Sequence, residues 1–165
     1  MSQVRTNSLF PTFLTRAFLP SLCATARARP TLVVFMGSFS DITTMPKAIL
    51  YSATKHFIRR VSLCLHADER YDTPDDKAIS FMYVHLGPVN SQMDRDPPSL
   101  IRADTAQFAE KLVGTFGCGR QMVIPYLGHH LLQLFFTSVP EFLSVKILRQ
   151  SAHDLVEKAV KQSKE

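Results

Sequence analysis

The chain has 165 residues, enough for one domain or a part of one. It is 45% hydrophobic and 20% charged, with six Gly, ten Pro and no Trp. That composition is globular and excludes collagen-like, low-complexity and disordered classes. The net charge is +5 with a pI near 9.3. The Lys and Arg are dispersed, so no basic run marks a nucleic-acid surface, and no nucleic-acid partner is expected. A phosphate-rich cofactor or substrate would also suit the charge.

Cys23, Cys64 and Cys118 form no CxxC pair and are too few for a disulfide framework. A reducing compartment is the simpler expectation. His129, His130 and His153 have no carboxylate at ligand spacing, so no metal is expected. Arg5, Asn7, Pro11 and Arg16 interrupt any apolar core at the start, which argues against a signal peptide. No stretch reaches the roughly 18 apolar residues of a spanning helix.

In chain order, Val4 to Ala26 carries apolar residues at spacings of three and four, a helical stripe. Pro11 and Pro20 predict a kink or a late end. Thr31 to Met36 (TLVVFM) reads as a fully buried strand of a parallel sheet. Ser38 to Pro46 is a polar loop, and Ala48 to Arg70 is a helix. Tyr71 to Lys77 is a turn, in which Asp75 and Asp76 read as solvated. Ala78 to Leu86 (AISFMYVHL) is a second buried strand, stopped by Gly87-Pro88.

Asn90 to Asp104 is a long loop in which Asp94 and Asp96 serve solubility. Thr105 to Thr115 is a helix, Gly117 to Gly119 a turn, and Gln121 to Pro125 a short strand. From Leu127 the chain is helical with a break at Pro140. Strands alternating with helices imply an α/β parallel sheet covered on both faces, with right-handed connections. Ligands bind such sheets at the carboxyl ends of the strands. The loops after Met36 and Leu86 are therefore where chemistry is expected.

Those loops carry the signal. Gly37-Ser38 follows the first strand, Tyr51 comes thirteen residues after Ser38, and Lys55 four after Tyr51. On a helix Tyr51 and Lys55 share a face one turn apart. An ammonium beside a phenol favours the phenolate and lowers its pKa from about 10. Such a tyrosine exchanges protons with a carbonyl or alcohol. Ser38 is positioned to hydrogen-bond the same oxygen. A YxxxK pair alone equally suits a plain amphipathic helix; its combination with Gly-Ser and Gly-Pro-Val after two buried strands is much rarer.

With Ser38, the stretch Tyr51-Ser52-Ala53-Thr54-Lys55, the turn Gly87 to Val89 and the opening Asn7 to Pro11, the chain resembles the short-chain dehydrogenase/reductases. More narrowly, NSLFPTFLTRAFLP, YSATKHFI, LGPVNSQM and GCGRQMVIPY resemble the very-long-chain 3-oxoacyl-CoA reductases, also described as 17β-hydroxysteroid dehydrogenase type 12-like proteins. The resemblance implies a catalytic tetrad of Asn7, Ser38, Tyr51 and Lys55. Tyr51 would protonate the keto oxygen. Tyr51 and Lys55 would also contact the cofactor, Lys55 through the nicotinamide ribose. Ser38 would orient the carbonyl, and Asn7 would position a water in a relay to Lys55. Gly87, Pro88, Val89 and Ser91 would line the nicotinamide, with NADPH as hydride donor.

The resemblance covers the C-terminal part of the family's Rossmann-like doubly wound sheet. The glycine-rich pyrophosphate turn and the other N-terminal nucleotide-binding strands are missing from this sequence. Residues 1–165 are then one partial domain, with residues 127–165 as a helical extension. A bare sheet edge is expected, and with it self-association or a missing N-terminal half.

The implied substrate is a lipid or acyl-CoA ketone, with a steroid as alternative. A truncated, inert or partner-binding protein is the non-enzymatic alternative. The resemblance implies the endoplasmic reticulum membrane, or the cytoplasm if Met1 is the true start. The apolar residues of Leu127 to Leu148 suit core or dimer packing, or contact with an acyl chain or membrane surface. Lys158, Lys161 and Lys164 form a mild basic tail. Cys64, on the Tyr51 helix, is expected to be buried and inert.

Overall fold

The computed structural model describes residues 2–73, 78–92 and 96–162. Asp75, Asp76, Asp94 and Lys164 lie outside them, as do the side chains of Lys158 and Lys161. The chain opens with a short helix α1 (Ser2–Val4), a π-helical turn (Arg5–Leu9) and α2 (Phe10–Ala26). Strand β1 (Leu32–Met36) leads to a 3₁₀ turn (Phe39–Asp41) and then α3 (Ile49–Asp72). After β2 (Ser80–Val84) come α4 (Thr105–Val113), β3 (Met122–Val123), α5 (Leu127–Ser138) and α6 (Glu141–Gln162).

The widened first turn has a local cause. Pro11 stands four residues after Asn7, offers no N–H to the Asn7 carbonyl, and crowds it with its ring. A π turn at Arg5–Leu9 relieves that crowding, with the Phe10 N–H bonded to the Arg5 carbonyl. The helix then runs through Pro20 to Ala26.

The three strands form a parallel sheet in the order β1-β2-β3. Leu32 pairs with Ser80 and Met36 with Val84; Tyr83 pairs with Met122. Strand β2 is central and buried on both faces, which is why its sequence is continuously apolar. On one face Phe81 and Tyr83 pack with Phe35, Ile58 and Ala26. On the other, Met82 and Val84 pack with Ala103, Phe108 and Val123. The α/β fold read from the sequence is the observed one. Strand β3 is shorter than the run Gln121 to Pro125, and α3 extends into the expected turn, as far as Asp72.

One expectation about the connections changes. The β1-to-β2 crossover lies on the Phe81 and Tyr83 face, through Ile58 of α3. The β2-to-β3 crossover lies on the Met82 and Val84 face, through Phe108 of α4. Successive side chains of a strand point to opposite faces. Two crossovers that step the same way but cover opposite faces have opposite hands. The right-handed rule therefore holds for only one of them. The long connection at residues 85–104 gives the chain room to change face before α4.

Cys64 is exposed rather than buried. The buried stripe of α3 is Thr54, Ile58, Ser62 and His66, spaced by fours. Cys64 falls outside it.

Gly37 lies against Tyr83. A Cβ on Gly37 would come within 2.2 Å of the Tyr83 ring, and Tyr83 is fully buried and cannot swing away. Gly37→Ala is expected to destabilise the chain by about 1–3 kcal/mol through overpacking. Urea unfolding measures it, and an unchanged midpoint would contradict this packing.

Candidate active site

The carboxyl ends of β1 and β2 are zipped past the strands themselves. The Gly37 N–H donates to the Val84 carbonyl at 2.8 Å, and the Phe39 N–H to the Leu86 carbonyl at 2.9 Å. This fixes the loop carrying Ser38 beside the loop carrying Gly87. Ser38 has extended backbone and caps the following 3₁₀ turn. Its Oγ accepts from the Ser40 N–H at 3.3 Å and from the Ser40 hydroxyl at 3.0 Å.

Tyr51 and Lys55 sit in the first two turns of α3. The Lys55 ammonium donates to the Met36 carbonyl at 3.0 Å and lies 5.7 Å from the Tyr51 ring centroid. That distance is within cation–π range. Lys55 thus bridges the Tyr51 face of α3 and the end of β1, one residue before Gly37. Burial lowers the Lys55 pKa, and the charge of Asp41 opposes that shift. Asn7 joins the same helix by another route: its Nδ2 donates to the Thr54 hydroxyl at 3.3 Å. Thr54 is buried and donates to the Tyr51 carbonyl at 2.8 Å.

The turn after β2 is held from one side by the segment before α4. The Ala103 N–H donates to the Pro88 carbonyl at 3.1 Å, and the Asn90 N–H to the Ala103 carbonyl at 2.9 Å. The Thr105 hydroxyl bonds the Asn90 carbonyl. Asp96 pairs with Arg102 at 3.3 Å, so it braces the loop as well as solvating it.

Beneath these loops lies a polar cluster that the motifs did not single out. Asp41, of the Ser38 loop, is buried. Its Oδ2 accepts from the Tyr83 hydroxyl at 2.6 Å and lies 3.0 Å from His85 Nε2. Burial raises the Asp41 pKa, and the Tyr83 hydrogen bond partly offsets this. The Tyr83 phenol is pushed up by burial and by Asp41. Burial pushes His85 down to about 4, so it is neutral near pH 7 and its Nε2 carries the proton toward Asp41. The available signal was periodicity: Tyr83 and His85, two apart in an apolar strand, share a face.

His129 and His130 part company. His129 is fully buried against the Gly87-Pro88 turn, whereas His130 is exposed. A cavity of about 370 Å³ lies beside β3, lined in part by His85, Arg120, Met122 and Gln133. Neither Tyr51 nor Lys55 lines it. Among the described residues no helix is long and apolar enough to cross a membrane.

No family model matches the chain. Two Caenorhabditis elegans proteins do. The chain is 24% identical to Putative steroid dehydrogenase 1 over 156 residues, covering 94% of this chain and 47% of that protein. It is 23% identical to Putative steroid dehydrogenase 2 over 158 residues, covering 95% and 47%. Among solved structures, the bulky-bulky ketone specific alcohol dehydrogenase of Comamonas testosteroni matches with a TM-score of 0.59. The identity is 18%, over 84% of this chain and 53% of that one.

Sequence and fold together support a short-chain dehydrogenase/reductase-like superfamily. The fold is part of a Rossmann-like domain, and the chain spans about half the length of the proteins it matches.

Burial lowers the pKa of His66 and His129 as well as His85. Between the ordinary 6.5 and about 4, the unfolded chain binds more protons at His85 than the folded one. Stability is therefore expected to rise with pH across that window. Asp41, raised above its ordinary 3.8, opposes the trend at the acid end. Melting temperatures at pH 4.5 to 7 test this, and a flat profile would mean that the histidines titrate alike in the folded and unfolded chain. Tyr83→Phe strips a donor from buried Asp41 and is expected to cost about 1–3 kcal/mol.

Proposed function

We propose that the chain is the catalytic half of an NADPH-dependent ketoreductase, acting on a keto group of a lipid-like substrate such as a 3-oxoacyl-CoA. The observation that carries this reading is the Lys55 ammonium, set between the Tyr51 ring and the Met36 carbonyl beside Ser38. A steroid is the alternative substrate, supported by the names of the two Caenorhabditis elegans relatives.

The residues present fit one half of a reduced nicotinamide cofactor. Lys55 has three N–H donors and shows one bond, to Met36, so it retains donors for ribose hydroxyls. Tyr51, beside it, is half-buried and reachable. Gly87, Pro88, Val89 and Ser91 offer a backbone wall at the strand ends for the nicotinamide ring. The three glycines Gly114, Gly117 and Gly119 do not supply a pyrophosphate cradle. They cap α4 and turn toward β3, Gly117 and Gly119 with φ of 81° and 74°.

When bound, the cofactor supplies the hydride for the carbonyl carbon. The chain's own groups manage the oxygen. Ser38 donates a hydrogen bond that orients the carbonyl, and Tyr51 gives its phenolic proton to the oxygen as charge develops. Lys55 stabilises the phenolate left behind. The product is the secondary alcohol. Work at the endoplasmic reticulum membrane belongs to the same proposal, with exposed Leu131, Leu134 and Phe135 of α5 as apolar contact surface.

A second reading rests on the half-length matches: a partner-binding protein without turnover. An NADPH fluorescence titration of the full chain separates the two. Micromolar binding is expected for the reductase, and no binding at millimolar cofactor would leave the second reading. With a 3-oxoacyl-CoA substrate, Tyr51→Phe is expected to lower turnover by about 10²–10⁴-fold while leaving NADPH affinity nearly unchanged. Equal rates in both proteins would remove Tyr51 as the acid.

A further inference from the structure

His129 belongs to the first turn of α5, remote in sequence from both active-site loops, yet it touches both. Its ring is completely buried, with 0% exposure. The Gly87 N–H donates to its Nδ1 at 3.3 Å. Its Nε2 lies 3.0 Å from the Pro88 carbonyl. A carbonyl only accepts, so Nε2 carries the proton, and Nδ1 is the bare acceptor. The neutral Nε2–H tautomer alone satisfies both contacts. An imidazolium would set an N–H against the Gly87 N–H. Burial lowers the His129 pKa, in keeping with this.

The ring also fills the space where a Cβ on Gly87 would sit, 2.4 Å from the nearest ring atom. It is boxed by Phe39, Phe108 and Tyr126, with centroid separations of 6.3, 5.8 and 5.0 Å. Phe39 directly follows Ser38, and Phe108 lies on α4. The titratable groups around the ring are His85 at the end of β2, Tyr126 before α5 and His130 beside it on α5.

We propose that His129 is a positioning residue: its Nε2–H tautomer sets the path of the Gly87-Pro88-Val89 turn, and so the wall against which a nicotinamide ring would stand. The functional half of this inference rests on the reductase reading above; the clamp itself rests on the geometry alone. Ala103 holds the Pro88 carbonyl from the other side, so losing His129 frees the Gly87 end of the turn rather than unfolding it.

Three variants of the full chain test it. The side chain of His129→Asn can still accept near the Nδ1 position, and that of His129→Gln can still donate near Nε2. His129→Phe keeps the ring and loses both bonds. Each is assayed for melting temperature, Gly87 amide hydrogen exchange and NADPH affinity; ring ¹⁵N shifts are recorded for the wild-type histidine.

The expected results are a protonated Nε2 and a bare Nδ1 near pH 7, and a protected Gly87 amide. In His129→Phe that amide should exchange faster, and NADPH should bind at least tenfold more weakly. Asn is expected to restore protection of Gly87 more than Gln does. Should the Phe variant fail to fold, the Asn and Gln pair carries the comparison.

A wild-type ring protonated at Nδ1, or an unprotected Gly87 amide, overturns the clamp. Equal NADPH affinity in wild type and Phe variant overturns the positioning role and leaves the reductase reading standing. A wild-type chain that binds no NADPH removes that reading and the positioning role together.

Discussion

The carboxylate of Asp41 joins the loop after β1 to the end of β2. It accepts from Tyr83 at 2.6 Å and faces His85 at 3.0 Å, out of reach of water. A buried carboxylate without partners costs several kcal/mol, so the loop that carries it has few other places to go. Ser38 stands three residues before Asp41, and Lys55 feels the same charge through the protein. Tyr83 also reaches the Lys55 carbonyl at 3.4 Å. One acidic side chain thus fixes the relation between Ser38, the sheet and the helix of Tyr51.

The second loop owes its shape to the change of face between β2 and β3. Helix α3 covers one side of β2 and α4 the other, so the connection must pass over the carboxyl end of the sheet. Gly87-Pro88-Val89 is the start of that passage. Its far end returns at Ala103, where Val89 and Ala103 form a parallel bridge. A crossover on the same face as the first could have been shorter, and would have left no such wall beside Ser38. The handedness exception and the candidate site are consequences of one path.

Much of this was legible in the sequence, for reasons that are local. The apolar run at Ala78 to Leu86 is what two-sided burial demands, and Gly87 ends it. The run at Thr31 to Met36 reads the same way, but β1 is an edge strand, mostly half-buried and exposed at Met36. Tyr51 and Lys55 share a helix face by spacing alone. What was not legible depended on distant contacts. Asp41 is one residue of a polar loop until Tyr83 and His85 are placed beside it. His129 reads only as a histidine without metal partners until its ring is found on the Gly87 N–H. The exposure of Cys64 fails for another reason: α3 buries Thr54, Ser62 and His66 while Ile49, Leu50 and Phe57 stay exposed. The apolar residues of that helix divide between two faces: Ile58, Val61 and Leu65 pack against the sheet, and Cys64 falls with the exposed ones.

The mixed buried face of α3 bears on how the site is held. Apolar contacts are non-directional and would let a helix rotate by a few degrees at little cost. Hydrogen bonds from buried Thr54 and His66 resist it. The Phe81 N–H donates to His66 Nδ1 at 3.3 Å, anchoring the end of α3 to the central strand. Thr54, near its start, bonds Asn7 and the Tyr51 carbonyl. The face bearing Tyr51 and Lys55 is therefore set at two points about three turns apart. Asn7 takes its place in this scheme through its amide, which Thr54 engages. Its backbone carbonyl receives no N–H from Pro11. The proline that crowds the Asn7 carbonyl and the π turn that relieves it are one local feature, and Asn7 stands at its centre.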